Sequence, residues 1–133
     1  MLHMLDTDTV SYLLKKKSPA LEQRLFAFEP SQLCISVMTL AELRYGLKRL
    51  PRDHRLHSAV EYFLKMIRVL SWGAEATDWY AEIRYQLVTH GQPIGELDMM
   101  IAAHALSVDA VLVTNNINHF QRIGSPLRLE NWT

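Results

Sequence analysis

Four polar side chains stand where short apolar runs give way to helical ones. Asp6 follows His3-Met4-Leu5, and Glu42 lies in Thr39-Leu40-Ala41-Glu42-Leu43. Asp98 opens Asp98-Met99-Met100-Ile101-Ala102-Ala103, and Asn116 follows Val111-Leu112-Val113-Thr114-Asn115. Like charges gathered at one sheet edge repel one another unless a cation sits between them, and hard oxygen donors of this kind suit Mg²⁺ or Mn²⁺. One such ion lowers the pKa of a water, and a second stabilises the leaving oxygen of an in-line displacement at phosphorus. The chemistry offered is phosphodiester hydrolysis with no side chain as nucleophile.

Each residue also has a purely architectural explanation. Glu42 stands three residues after Thr39, the spacing of a capping box. Asp98 gains from the positive end of its own helix. Asp6 and Asp8 satisfy a turn and cap the next helix, and Asn115-Asn116 suits a turn with left-handed backbone angles. Singly, these explanations are sufficient; together they leave the gathering of acids unexplained.

The elements that would position these residues alternate between strand and helix. His3 to Asp6 reads as a first strand, with a helical stretch from Thr9 to Lys16. Ser18-Pro19 places a capping hydroxyl before a proline at the first helical position, opening a helix through Phe28. Gln32 to Ser36 reads as a second strand. Thr39 is expected to start a helix towards Leu50, and Asp53 to Met66 another. Ile67 to Leu70 is a third strand. Ala76, Tyr80, Ile83 and Leu87 recur at helical spacing after Gly73. Asp98 to Ser107 is a further helix, Ala110 to Val113 a buried strand, and Leu127 to Leu129 a candidate edge strand. This alternation predicts a parallel sheet covered by helices on both faces. Open sheets of that kind bind ligands at the carboxyl ends of their strands.

Composition sets the frame. The 133 residues suit one domain spanning 1–133, and 49% hydrophobic content supplies a real core. Fourteen basic and 14 acidic side chains cancel, so any phosphate must be held by a local patch. The lone Cys34, inside Leu33-Cys34-Ile35, forms no internal disulfide and reads as core filler. Nothing resembles a signal peptide or a membrane helix, so a cytoplasmic protein without a membrane partner is expected. Neither Gly-x-Ser-x-Gly nor a phosphate-binding glycine loop occurs, which argues against serine-hydrolase and P-loop readings.

Arg44, Lys48, Arg49, Arg52 and Arg55 form a basic stretch with His54 and His57. Arg44, Lys48 and Arg49 are candidates for a nucleic-acid phosphate track, and a solvated helical face is the alternative. Arg44 lies two residues after Glu42 and so leaves from another side of the helix. His54 and His57 lack a third nitrogen or sulfur partner for zinc. His104, inside an apolar helix, reads as a core or rim histidine. Trp72, Trp79 and Tyr80 read as packing rather than base-stacking residues.

The runs Met4-Leu5-Asp6-Thr7-Asp8, Thr39-Leu40-Ala41-Glu42-Leu43-Arg44-Tyr45-Gly46, Pro93-Ile94-Gly95 with Asp98 and Ile101-Ala102-Ala103-His104-Ala105, and Leu112-Val113-Thr114-Asn115-Asn116 resemble the PIN-domain toxins called VapC. The ending Leu127-Arg128-Leu129-Glu130-Asn131-Trp132 is similar to that family's as well. The resemblance spans essentially the whole chain in order. It implies a three-layer α/β/α PIN-like fold with a central, mainly parallel sheet. It further implies a divalent-metal-dependent endoribonuclease, the toxin of a type II toxin–antitoxin pair, cutting a structured RNA such as tRNA. A VapB-like antitoxin would be its partner, a homodimer its assembly, and DNA would be reached only through the antitoxin. Asp6, Glu42 and Asp98 would bind Mg²⁺, with Mn²⁺ as the substitute. Asn116 stands at a fourth position that is acidic in many PIN domains. Asp8 or Glu96 would then compensate for the missing charge, with Thr7 and Thr114 in support. Two rival readings are a catalytically silent PIN-like module serving antitoxin or promoter assembly, and a DNA or flap nuclease.

Overall fold

In the computed structural model, which describes residues 1–133, five short strands form one parallel sheet in the order β3-β2-β1-β4-β5. They are β1 (His3–Leu5), β2 (Leu33–Ser36), β3 (Arg68–Leu70), β4 (Val111–Val113) and β5 (Leu129–Glu130). Seven helices connect and flank them: α1 (Thr7–Leu14), α2 (Pro19–Phe26), α3 (Val37–Lys48), α4 (Arg55–Met66), α5 (Ala74–Thr89), α6 (Glu96–Ser107) and α7 (Ile117–Phe120). Each expected strand is present. The Leu127–Leu129 edge strand is displaced to Leu129–Glu130, where Leu112 pairs with Leu129.

Successive strand residues point to opposite faces, and this splits the core in two. Met4, Cys34 and Leu112 face α5 and α6, packing with Ile83, Leu87, Ile101 and Ala102. Leu5, Ile35 and Val113 face the other way, against Val10 of α1, Leu21 of α2, Leu43 of α3 and Phe63 of α4. Three layers result, helix, sheet and helix, as the alternating pattern predicts. Cys34 is fully buried, and burial pushes its thiol up to about 12, so it packs as a small apolar residue. No helix is long and apolar enough to cross a membrane.

Local signals account for most boundaries. Ser18 Oγ accepts the Leu21 N–H ahead of Pro19 at the first helical position, which starts α2. Ser18→Ala removes that cap, and urea unfolding should show a loss of about 1 kcal/mol. The chain's last turn is pinned by Trp132, whose ring stacks on Phe28 at 4.7 Å and 14° while its Nε1–H donates to Glu130.

One boundary differs in a way that matters. The helix expected to begin at Thr39 begins at Val37, because Ser36 Oγ accepts the Met38 N–H and serves as the cap. His104 is fully buried with Nδ1 2.7 Å from that same Ser36 Oγ, which ties α6 to the head of α3. His104 is therefore a core histidine, and burial lowers its pKa.

β1 is the centre of the sheet. The chain leaves it for β2 and β3 on one side, and β4 and β5 lie on the other. The crevice where this order reverses opens at the carboxyl ends of β1 and β4.

Candidate functional site

Asp6 sits at that reversal. Immediately after β1, its N–H donates to the Val113 carbonyl at 3.0 Å, which continues the β1–β4 ladder by one residue. Its carboxylate caps α1 by accepting the Thr9 N–H at 2.9 Å on Oδ1. The Thr114 hydroxyl, just past β4, donates to Oδ2 at 2.6 Å. Asp6 is thus both a helix cap and a clamp between two strand ends. Each oxygen still has a lone pair to offer.

Glu42 arrives from α3 and is not a cap. With Ser36 capping the helix, Glu42 lies in its second turn, and its Oε1 accepts the Thr7 hydroxyl. Thr7 Oγ1 also lies 3.2 Å from the Thr39 hydroxyl, which can donate to it, so the first residue of α1 holds α3 in place. Asp98, third residue of α6, has Oδ2 3.1 Å from His119 Nε2. Asn116 precedes α7, and its N–H donates to Thr114 Oγ1 at 2.9 Å.

These residues converge. Asp6, Thr7, Asp8, Glu42, Asp98, Asn116 and Phe120 line one cavity of about 160 Å³. Its electrostatics are those of crowded carboxylates. Burial, offset in part by the Thr114 and Thr9 hydrogen bonds and raised further by Asp8, lifts Asp6 from 3.8 to about 6. Burial also raises Glu42, against the Thr7 hydrogen bond and with repulsion from Asp98 and Asp8. Asp98 is raised by burial despite His119, with Asp8 again adding repulsion. Desolvation and like charge together make each anion costly, and a cation relieves both.

The donor set fits a hard divalent ion: four carboxylates, one amide and one hydroxyl around the cavity, with Phe120 the one apolar wall. No three His, Cys, Asp or Glu side chains stand at mutual ligand spacing as they are. An ion held directly by one or two of them and through water by the rest suits this arrangement, and that is the habit of Mg²⁺.

Several expected participants lie elsewhere. Glu96 does not join the cluster; its Oε1 accepts from Tyr80 at 2.8 Å and from Arg84 at 3.1 Å, on the α5 side. Two residues before Asp98 on the same helix, it is turned by roughly 200° from it. Thr7 and Thr114 support the site as hydrogen-bond donors to Glu42 and Asp6. Asp8 is exposed at the cavity's rim.

The basic stretch also divides. Arg44 turns to Glu61, 3.9 Å away on α4, and neither it nor Lys48 lines the groove that adjoins the site. Arg49 does, with Lys15, His54 and Arg55, along a groove of about 960 Å³ between α1, α3 and α4. Thr7, Asp8 and Glu42 belong to both this groove and the acidic cavity, so the two are continuous. Arg49 lies over the Tyr45 ring at 5.4 Å from its centroid, and both stand on the Glu42 side of α3. His54 caps α4 by accepting the Leu56 N–H, a structural duty.

His119 is the site residue that sequence reasoning missed. It stands three residues after Asn116, on a four-residue helix that the sequence pattern assigns to no element.

Residues 3–126 match the PIN domain family. The chain is 38% identical over 130 residues to the tRNA(fMet)-specific endonuclease VapC of Shigella flexneri, covering 98% of this chain and 97% of that one. It is 36% identical over 133 residues to ribonuclease VapC2 of Rickettsia felis, covering 99% and 98%. Among solved structures, VapBC2 of Rickettsia felis bound to a promoter DNA fragment contains a chain superposing with TM-score 0.91 at 35% identity, over 100% of both chains. The DNA-bound VapBC of Salmonella typhimurium gives 0.91 at 39% identity, again over 100% of both. With its acidic cavity at the β1/β4 reversal and full-length likeness to these proteins, the chain belongs to the PIN domain family, in its VapC branch.

Proposed function

We propose that this protein is a divalent-metal-dependent endoribonuclease and the toxin of a type II toxin–antitoxin pair. The observation that carries the reading is the cavity itself. Asp6, Glu42 and Asp98, drawn from three distant parts of the chain, meet there, and each is held by its own donor. Such carboxylates are kept charged and close only if a cation is to be bound. When bound, the ion supplies an activated water and charge stabilisation at the departing oxygen.

The residues do the rest by position. Thr9 and Thr114 fix the plane of Asp6, and Thr7 sets Glu42 across the cavity from it. Asn116 adds a neutral amide at the rim, able to orient a water or a phosphate oxygen without adding charge. Lys15, Arg49 and Arg55 supply positive charge along the adjoining groove, where an RNA backbone would run towards the cavity. Arg55 is itself anchored, with both terminal nitrogens 3.3 Å from the Leu14 carbonyl at the end of α1.

The relative from Shigella flexneri is named for cleaving tRNA(fMet), and a structured tRNA is the substrate class proposed here. The VapBC complexes among the solved structures support a VapB-like antitoxin as partner, with DNA contacted through it. The experiment is to incubate total cellular RNA with purified protein in Mg²⁺, in Mn²⁺ and in EDTA. Discrete fragments that need a cation support the reading; intact RNA from a cation-binding, antitoxin-free preparation counts against it. Glu42→Gln discriminates further, since Glu42 has no capping duty. Cleavage should fall by on the order of 10³-fold while the melting temperature holds, because a neutral amide is a poor ligand for a hard ion and Glu42 acts in the same unit as Asp6.

A further inference from the structure

Three of the cavity's four carboxylates, Asp6, Glu42 and Asp98, are each gripped by a partner, and two of those partners are threonines just past the β1 and β4 ends. The third is His119, which comes from the short helix α7. Its ring is placed by packing: Phe120 is buried in the core, and the two rings meet edge to face at 5.7 Å and 89°. His119 does not line the cavity, whereas Asp98 does. The imidazole therefore reaches Asp98 from outside, donating Nε2–H to Oδ2 at 3.1 Å. Gly95, the cap residue of α6, lies on the same side of Asp98: a Cβ there would stand in ordinary van der Waals contact with Oδ2, 3.6 Å away. Oδ2 is thus engaged by His119, while Oδ1 has no hydrogen-bond partner in the protein.

We propose that His119 is the positioning residue for Asp98, holding Oδ2 from behind so that Oδ1 faces the cation, while staying out of direct contact with the ion. The inference rests on the metal-dependent reading above. Metal-binding carboxylates with an outer hydrogen-bond partner commonly lose 10- to 100-fold in metal affinity when that partner is removed. The imidazole is here the partner, an inversion of the more usual carboxylate behind a histidine ligand.

The test is Mn²⁺ binding to the purified full chain, followed by electron paramagnetic resonance, for the parent, His119→Ala and His119→Gln. His119→Ala should weaken Mn²⁺ binding by roughly 10- to 100-fold. His119→Gln should recover most of it, since its amide N–H reaches much the same place. Pulsed spectra of the parent complex should show no nitrogen bonded directly to the metal. A directly bonded nitrogen would overturn the proposal by making His119 a ligand. Unchanged Mn²⁺ affinity in His119→Ala, or no recovery in His119→Gln, would also overturn it, and in either case the metal-dependent reading would stand. A parent protein that binds no Mn²⁺ would remove both.

Discussion

Asp6→Asn protein is expected to lose RNA cleavage by on the order of 10³-fold or more, since a residue acting within a catalytic unit carries an effect of that size. The substitution is nearly isosteric, so the loss reports charge. The new side-chain amide would still accept the Thr9 N–H through Oδ1 and stay within reach of the Thr114 hydroxyl, the two contacts that tie β1 to β4. The variant should therefore fold. Fragment yield from Mg²⁺-containing digests, compared with the parent at equal protein, is the measurement. Activity within a few-fold of the parent would remove Asp6 from the catalytic centre.

The same substitution should make the metal-free protein more stable near neutral pH. Asp6 titrates near 6 in the folded protein, mainly through burial, against an ordinary value of 3.8. The folded state thus holds this proton more tightly than the unfolded chain. Stability from the protonated carboxyl is complete below about pH 4 and is lost as pH rises through about 6. At neutral pH the ionised carboxylate costs up to about 3 kcal/mol, because each tenfold change in proton affinity between the two states is worth roughly 1.4 kcal/mol. Urea unfolding in EDTA should show Asp6→Asn little different from the parent near pH 4 and more stable by up to about 3 kcal/mol near pH 7. Mg²⁺ or Mn²⁺ should narrow that gap by stabilising the parent alone. A gap that ignores both pH and cation would mean that the carboxylate is already satisfied by the protein.

The sequence carried the architecture because its signals there are strong. Strand runs such as Ala110 to Val113 and caps such as Ser18-Pro19 are local, and each points to the element that forms. The convergence of Asp6, Glu42, Asp98 and Asn116 on one cavity was legible from strand-to-helix position alone. Glu42 was ambiguous, since Thr39-x-x-Glu42 has the spacing of a capping box. Ser36 settles it by taking the cap three residues earlier, a choice that depends on where β2 ends. Glu96 and Asp98 could have been separated from sequence, because residues two apart on a helix face different ways, as Arg44 and Glu42 do.

His119 was beyond reach for another reason. A four-residue helix has no periodicity to detect, and its contact with Asp98 spans 21 residues of chain. The groove had the same difficulty. Tyr45 and Arg49 follow Glu42 by three and seven residues and share its face, but Lys15 reaches the groove only through packing of α1 against α3 and α4.

The most direct test of the acidic cavity as a water-using nuclease centre is to cleave the target RNA in ¹⁸O-labelled water and weigh the new ends by mass spectrometry. The expected products are linear phosphate and hydroxyl ends, with one ¹⁸O in the new terminal phosphate, and no product in EDTA or from Asp6→Asn protein. An unlabelled 2′,3′-cyclic phosphate formed without a divalent cation would contradict this mechanism, because the attacking oxygen would then be the RNA's own 2′-hydroxyl.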